Sequence, residues 1–292
     1  MSRICDRATK ARFGIPPVAP STRKGNRVTC LKVAFVGWGA INSRVGELLE
    51  KRGTRIEIVG IATNHGLHEA VSKNVTFLND PASLAAVEPT LVVEAASRSA
   101  VEMWAPSALR CAKAMIVTST SALRDICLLT RLRRIAETHG SRLLLPSGAI
   151  GGLDALGAAA MITVDEVVHE ITKPPEAWIG TVAEQQVNLH GLSQRRVLFE
   201  GTARHAADQY PQNANATVLT SLTGIGLDQT KVLLVADPSV KCNQHRITAR
   251  GAFGSLEVLL KNEPLKTNPK SSELTALSLV RMIEQEMSSL II

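Results

Sequence analysis

Val36-Gly37-Trp38-Gly39-Ala40-Ile41 follows an apolar run at 33–36 and precedes helix-forming sequence at 43–52. Read as strand, tight turn and helix, this pattern opens a dinucleotide-binding βαβ unit. Gly37 permits the turn, and Gly39 lets the backbone approach a pyrophosphate. A helix opening at Ala40 and Ile41 aims free N–H groups and its positive dipole end at that anion. Asn42 stands where the third glycine of the usual pattern belongs. After the next apolar run a site selective for NAD carries an acidic residue for the ribose hydroxyls. Here the chain reads Ala62-Thr63-Asn64-His65 with no carboxylate. Asn64 suits a hydroxyl and His65 tolerates a 2′-phosphate, so the cofactor is NAD or NADP.

Four more segments carry candidate chemistry. In Pro146-Ser-Gly-Ala-Ile-Gly-Gly-Leu-Asp154 the glycines let backbone pass close to a flat ring, or simply form a turn joining two domains. Lys173, before two prolines, could offer an ammonium to a carboxylate or sit in a surface loop. Asn213 and Asn215 stand at the mouth of a helix, where they could cap it or orient an amide-bearing ligand. His245 lies at a loop-to-strand edge among polar residues, the best placed of the seven histidines for proton transfer near neutral pH. No metal site is read: His169-Glu170 lacks the second histidine of an HExxH pattern, and no nucleophile elbow or Walker loop occurs.

Alternating elements must position these residues. Apolar runs at 33–36, 56–62, 71–78, 90–94, 114–118 and 142–145 alternate with helical patterns at 43–52, 101–112 and 123–139. That order predicts a doubly wound parallel sheet, an α/β Rossmann domain over 31–150. The second half changes style. Strand-like runs at 164–172, 195–202, 231–237, 244–249 and 254–261 predict an α+β domain over 151–267. Its sheet is expected to be largely antiparallel, with an alanine-rich helix after Asn213 covering one face. A final helix is expected at 272–290.

With 292 residues, 45% of them hydrophobic, the chain can form two domains with a real core, and aromatics at 3% leave aliphatic packing to dominate. Of the net charge of +7, residues 1–30 contribute +6. They read as a basic, disordered tail, and the remainder carries no basic stripe for nucleic acid. Five scattered cysteines form no pair or ligand cluster, the pattern of reduced thiols in the cytoplasm. No stretch reads as a membrane span.

Taken together, Val36-Gly-Trp-Gly-Ala-Ile41, Val92-Val-Glu-Ala-Ala96, the 146–155 run, Thr172-Lys-Pro-Pro175, Phe199-Glu-Gly-Thr-Ala203, Tyr210-Pro-Gln-Asn-Ala-Asn215, Asp237-Pro238, Asn243-Gln-His245 and Asn268-Pro-Lys-Ser-Ser272 resemble the L-aspartate dehydrogenase family. The resemblance spans about residues 31–292. It implies NAD(P)-dependent oxidative deamination of L-aspartate to iminoaspartate, then oxaloacetate and ammonia, with the imine able to feed NAD biosynthesis. It further implies a homodimer whose second domain, 151–267, carries the substrate contacts and the dimer interface, and a last helix, within 268–292, that returns to the first domain. By motif match, Ala149 and Asn215 contact the nicotinamide cofactor and His245 is the catalytic histidine. Asn42, and Ser119-Thr-Ser in place of a more usual glycine segment, depart from the family pattern and are expected to narrow the cofactor site or alter its affinity. Two other readings fit the same first domain: a two-domain reductase of the homoserine or dihydrodipicolinate type, and a non-catalytic NAD(P)-binding sensor.

Overall fold

The computed structural model describes residues 30–64, 75–211 and 213–292. The basic tail up to residue 29 and His65 lie outside the described residues. The first half runs β1 (Leu31–Val36), α1 (Ala40–Arg52), β2 (Ile56–Ala62), β3 (Thr76–Phe77), α2 (Leu84–Val87), β4 (Leu91–Glu94), α3 (Arg98–Cys111), β5 (Ala114–Val117), α4 (Ile126–His139) and β6 (Arg142–Leu144). Its six strands are all parallel in the order β3-β2-β1-β4-β5-β6, the doubly wound arrangement expected from the alternation.

Both faces of this sheet are buried, which is why its strands read as continuous apolar runs. Ala34, Val92 and Met115 pack under α3 and α4 through Val101, Ala105, Leu109 and Leu132. Val33, Phe35 and Val93 pack on the other side with Val45 and Leu49 of α1. Of the strand read at 71–78, only Thr76–Phe77 is β among the described residues, and both are exposed; residues 71–74 are not described. Helix α1 opens at Ala40, where the turn pattern expects it, with Gly39 at its N-cap.

The second half contributes α5 (Leu153–Ala159), β7 (Val164–Lys173), β8 (Arg196–Thr202), α6 (Ala203–Gln209), α7 (Ala214–Thr223), β9 (Lys231–Ala236), β10 (Asn243–Gly251) and β11 (Gly254–Asn262). A short hairpin, β12 (Pro264–Leu265) and β13 (Asn268–Ser272), leads to α8 (Glu273–Gln285). The larger sheet has the order β11-β10-β7-β9-β8. Every pairing is antiparallel except β7 with β9. Period-two alternation puts Val167, His169, Ile171 and Lys173 of β7 on one face with His245, Ile247 and Ala249 of β10. Helix α7 covers that face, Leu219 packing with Val167 and Ile247.

Helix α8 lies against the first sheet. Its Ala276, Leu279, Val280 and Ile283 share a core with Val33 and Phe35. Glu273 and Glu284 accept bidentate or paired contacts from Arg44 and Arg52 of α1 at 2.7–2.9 Å. The helix ends at Gln285, short of the expected 290: Leu290, Ile291 and Ile292 are exposed, so no apolar contact extends it.

Candidate active site

The sheet face under α7 carries two histidines where an apolar core would ordinarily sit. His169 is fully buried, and His245 is 7% exposed. Register aligns His245 with Ile171 and Ile247 with His169, so the two rings are diagonal neighbours. His245 Nδ1 lies 3.1 Å from His169 Nε2, and His169 Nδ1 lies 3.0 Å from Thr220 Oγ1 on α7. Burial holds the His169 pKa down to about 3. His245 is also held well below the usual imidazole range, by burial first and then by the His169 and Lys173 charges. Both rings are therefore neutral near pH 7.

At the end of β7, Lys173 donates from Nζ to Asn213 Oδ1 at 2.6 Å and sits 5.0 Å from the Trp178 ring centroid. Burial lowers its pKa from 10.5 to about 8. This is no surface loop: the following turn is anchored by Trp178, itself buried and donating to Val235 O at 3.1 Å.

Lys173 and His245 open into one cavity of about 150 Å³, which Ile41, Ala149 and Asn215 also line. Gly37, Gly39 and Ala40 lie at the adjoining β1–α1 turn. Asn64 is exposed, two residues beyond the end of β2, and Glu57 is exposed within it. The turn fits an anionic dinucleotide. Gly37 has φ +86°, and a Cβ there would come within 2.6 Å of Ala96 Cβ. At Gly39 a Cβ would meet nothing within 4 Å, no side chain caps α1, and its first turn holds no acid. The helix N-terminus thus faces open space with free N–H donors, the arrangement that holds phosphates.

Two expectations about side chains need correction. Asn42 turns inward rather than narrowing the site: it is fully buried and its Nδ2 donates to Gly37 O at 2.7 Å, bracing the turn from behind. Neither Asn213 nor Asn215 caps α7 with its side chain. Asn213 accepts from Lys173, while Asn215 Oδ1 accepts from Ser121 N at 3.0 Å. The 119–121 segment does reach the site, as expected: Thr120 lines the cavity, and the segment also joins the two halves. Thr120 Oγ1 donates to Asn215 O at 2.8 Å, fastening α7 to the first sheet, and Ser119 Oγ donates to Glu94 at 2.6 Å.

Two residues of consequence were not singled out from the sequence. Glu94, fully buried at the end of β4, also accepts from the backbone N–H groups of Ala96, Ser97 and Ser119, tying together the loops after β4 and β5. Burial pushes its carboxyl pKa up while these donors oppose the shift. His169 was read only as a failed metal motif; its signal was the inward phase of β7, which it shares with Val167, Ile171 and Lys173. The 146–154 run bridges both halves. Ala149 O accepts from Asn262 of β11 at 2.8 Å, and Gly148 N donates to Ser278 of α8 at 3.1 Å.

Comparison with known proteins agrees with this architecture. The family model described as "Aspartate dehydrogenase, C-terminal" matches residues 154–286, and that described as "Homoserine dehydrogenase, NAD binding domain" matches residues 37–146. L-Aspartate dehydrogenase of Brucella anthropi is 46% identical over 262 residues, covering 89% of this chain and 98% of that protein. The enzyme of the same name from Cupriavidus necator is 42% identical, covering 87% and 96%. The crystal structure of aspartate dehydrogenase from Thermotoga maritima superposes with a TM-score of 0.71 at 28% identity, over 90% of this chain and 99% of that one. A hyperthermophilic archaeal homoserine dehydrogenase in complex with NADPH, at 12% identity and a TM-score of 0.55 over 87% of this chain and 97% of that one, shares the fold alone. On the strength of these near-full-length relatives, the chain belongs to the L-aspartate dehydrogenase family.

Proposed function

We propose that this protein oxidises L-aspartate with NAD or NADP, giving iminoaspartate and then oxaloacetate and ammonia. The observation that carries the reading is a neutral, buried histidine and a buried lysine opening into one cavity, beside the glycine turn, in a member of this family. The dinucleotide, when bound, accepts hydride from the substrate Cα. The chain's own residues do the rest. The free N–H groups at Ala40 and Ile41, with Gly37 and Gly39 giving clearance, hold the pyrophosphate. Ala149 and Asn215 position the nicotinamide end, and Asn64 meets the adenosine ribose.

The substrate ammonium must lose a proton before Cα can release hydride. His245, kept neutral by burial, is the acceptor; once that proton has left through the cavity to solvent, the neutral ring takes a second proton from the water that attacks the imine. Lys173 pairs with a substrate carboxylate. The chain has no acid among Ala62, Thr63 and Asn64, which supports use of either dinucleotide.

In this reading residues 31–150 bind the dinucleotide, 151–267 supply substrate contacts and the dimer surface, and 268–292 brace the first domain. The face of the second sheet opposite α7 leaves Val197 and Leu259 exposed and supports a homodimer there. Four free cysteines among the described residues suit a cytoplasmic setting, and a role in supplying NAD biosynthesis follows from the imine product. Among the described residues no helix is long and apolar enough to cross a membrane.

Initial rates with L-aspartate and with L-homoserine, each with NAD⁺ and NADP⁺, test the proposal. Reduction of cofactor by aspartate alone is expected. Turnover of homoserine in its place, or tight NAD(P)H binding without turnover of either, overturns it in favour of the reductase or the sensor.

A further inference from the structure

The chain of contacts behind His245 has one hydroxyl hydrogen to share, and that decides where every other proton lies. Thr220 Oγ1 is 3.0 Å from Ala216 O and 3.0 Å from His169 Nδ1. A carbonyl oxygen only accepts, so the Thr220 hydroxyl must donate to Ala216 O, or two oxygen lone pairs face each other in a buried site. Thr220 Oγ1 is then an acceptor, and His169 Nδ1 must carry hydrogen to meet it. A neutral imidazole bears one hydrogen, which leaves His169 Nε2 bare. That nitrogen accepts, at 3.1 Å, from His245 Nδ1. His245 Nε2, with no partner among the described residues, is left unprotonated.

We propose that His169 and Thr220 are positioning residues which lock His245 in the tautomer with Nδ1 protonated and Nε2 bare. The inference deepens the proposed function, because a bare Nε2 is the form that takes the substrate's proton. The orienting group is a neutral imidazole in place of a carboxylate. Fully buried and ending on a helix carbonyl, it holds the hydrogen bond without drawing the proton away from His245 or passing it to solvent. Lys173 and Lys270, on β7 and β13, are the other ionisable groups lining the same cavity.

The test reads tautomers directly, by long-range ¹H–¹⁵N correlation on the full chain labelled at histidine. His169→Gln and His245→Gln assign the two signals. In the wild-type protein both rings are expected to show protonated Nδ1 and bare Nε2; a protonated Nε2 on His245 overturns the inference. Thr220→Val keeps the shape but removes the acceptor, and it should move His245 toward the Nε2-protonated form, whereas Thr220→Ser should not. With aspartate, Thr220→Val is expected to lose on the order of tenfold in kcat with little change in KM, and the serine variant to retain activity. An unchanged His245 tautomer in Thr220→Val removes the relay. The expected tautomers without aspartate turnover would instead sink the catalytic assignment of His245 and leave the relay standing.

Discussion

Replacing Lys173 by methionine preserves length and packing while deleting the charge, and this separates binding from stability. Burial lowers the lysine pKa from 10.5 to about 8, so the folded site disfavours the ammonium. At 1.36 kcal/mol per unit, that preference is about 3 kcal/mol. Losing the charge also leaves Asn213 Oδ1 without its donor, a cost of about 1–3 kcal/mol that offsets much of the gain. The variant should therefore range from equally stable to about 2 kcal/mol more stable at pH 7, measured by denaturant unfolding. The pH dependence has a definite sign. Between about 8 and 10.5 the unfolded chain holds a proton at this lysine that the folded chain has released, so wild-type stability from this group rises with pH across that window. Methionine abolishes that rise. Aspartate binding runs the other way. A charge-assisted hydrogen bond of about 1.5–3 kcal/mol predicts a KM for aspartate about 10- to 100-fold higher in Lys173→Met. In the wild type, KM should climb as pH passes about 8 and the ammonium is lost, while in the variant it should stay high and flat. A destabilised variant with unchanged KM would show that the lysine is a packing residue with no part in binding aspartate.

Gly39→Val should cost no more than about 1 kcal/mol in stability, as a poorer N-cap whose Cβ meets nothing within 4 Å, yet weaken NAD(P)H binding about 10- to 100-fold by fouling the phosphate donors. Calorimetric affinity equal to wild type would reject the phosphate-loop assignment. Glu94→Gln presents an amide NH₂ to a site filled with donors and should cost about 2–3 kcal/mol in unfolding free energy; a neutral effect would mean the loops after β4 and β5 do not depend on it. For cofactor choice, kcat/KM for NAD⁺ and NADP⁺ should fall within about tenfold of each other, because no carboxylate follows β2 to exclude the 2′-phosphate; a much larger preference would contradict the role given to the missing acid.

Much of the fold was legible because its signals are local. The strand–glycine–helix pattern at 33–52 and the repeated apolar runs specify a parallel sheet without reference to distant residues, and the Gly37 turn declares itself by composition. The second sheet was readable strand by strand, but the parallel β7–β9 pairing inside a mostly antiparallel sheet depends on tertiary contacts that periodicity does not encode. Side-chain roles were harder for the same reason. Asn42 looked like an intrusion into the turn, yet its amide braces Gly37 from inside. Asn213 and Asn215 stood where caps belong, yet their partners come from Lys173 and Ser121, about 40 and 94 residues away in sequence. His169 was hidden because a histidine in the buried phase of a strand has no motif of its own; only the facing strand and α7 reveal why it is there.

Proton transfer to a neutral His245 is the step on which NAD(P)-dependent aspartate oxidation turns in this protein. Its most direct test is the aspartate-dependent rate of nicotinamide reduction, with NAD(P)H affinity titrated in parallel, for the wild type and His245→Ala. Measurable wild-type turnover, a loss of about 10²–10⁴-fold in kcat for the variant, and unchanged cofactor affinity are expected. Aspartate oxidation by His245→Ala at near the wild-type rate would contradict it.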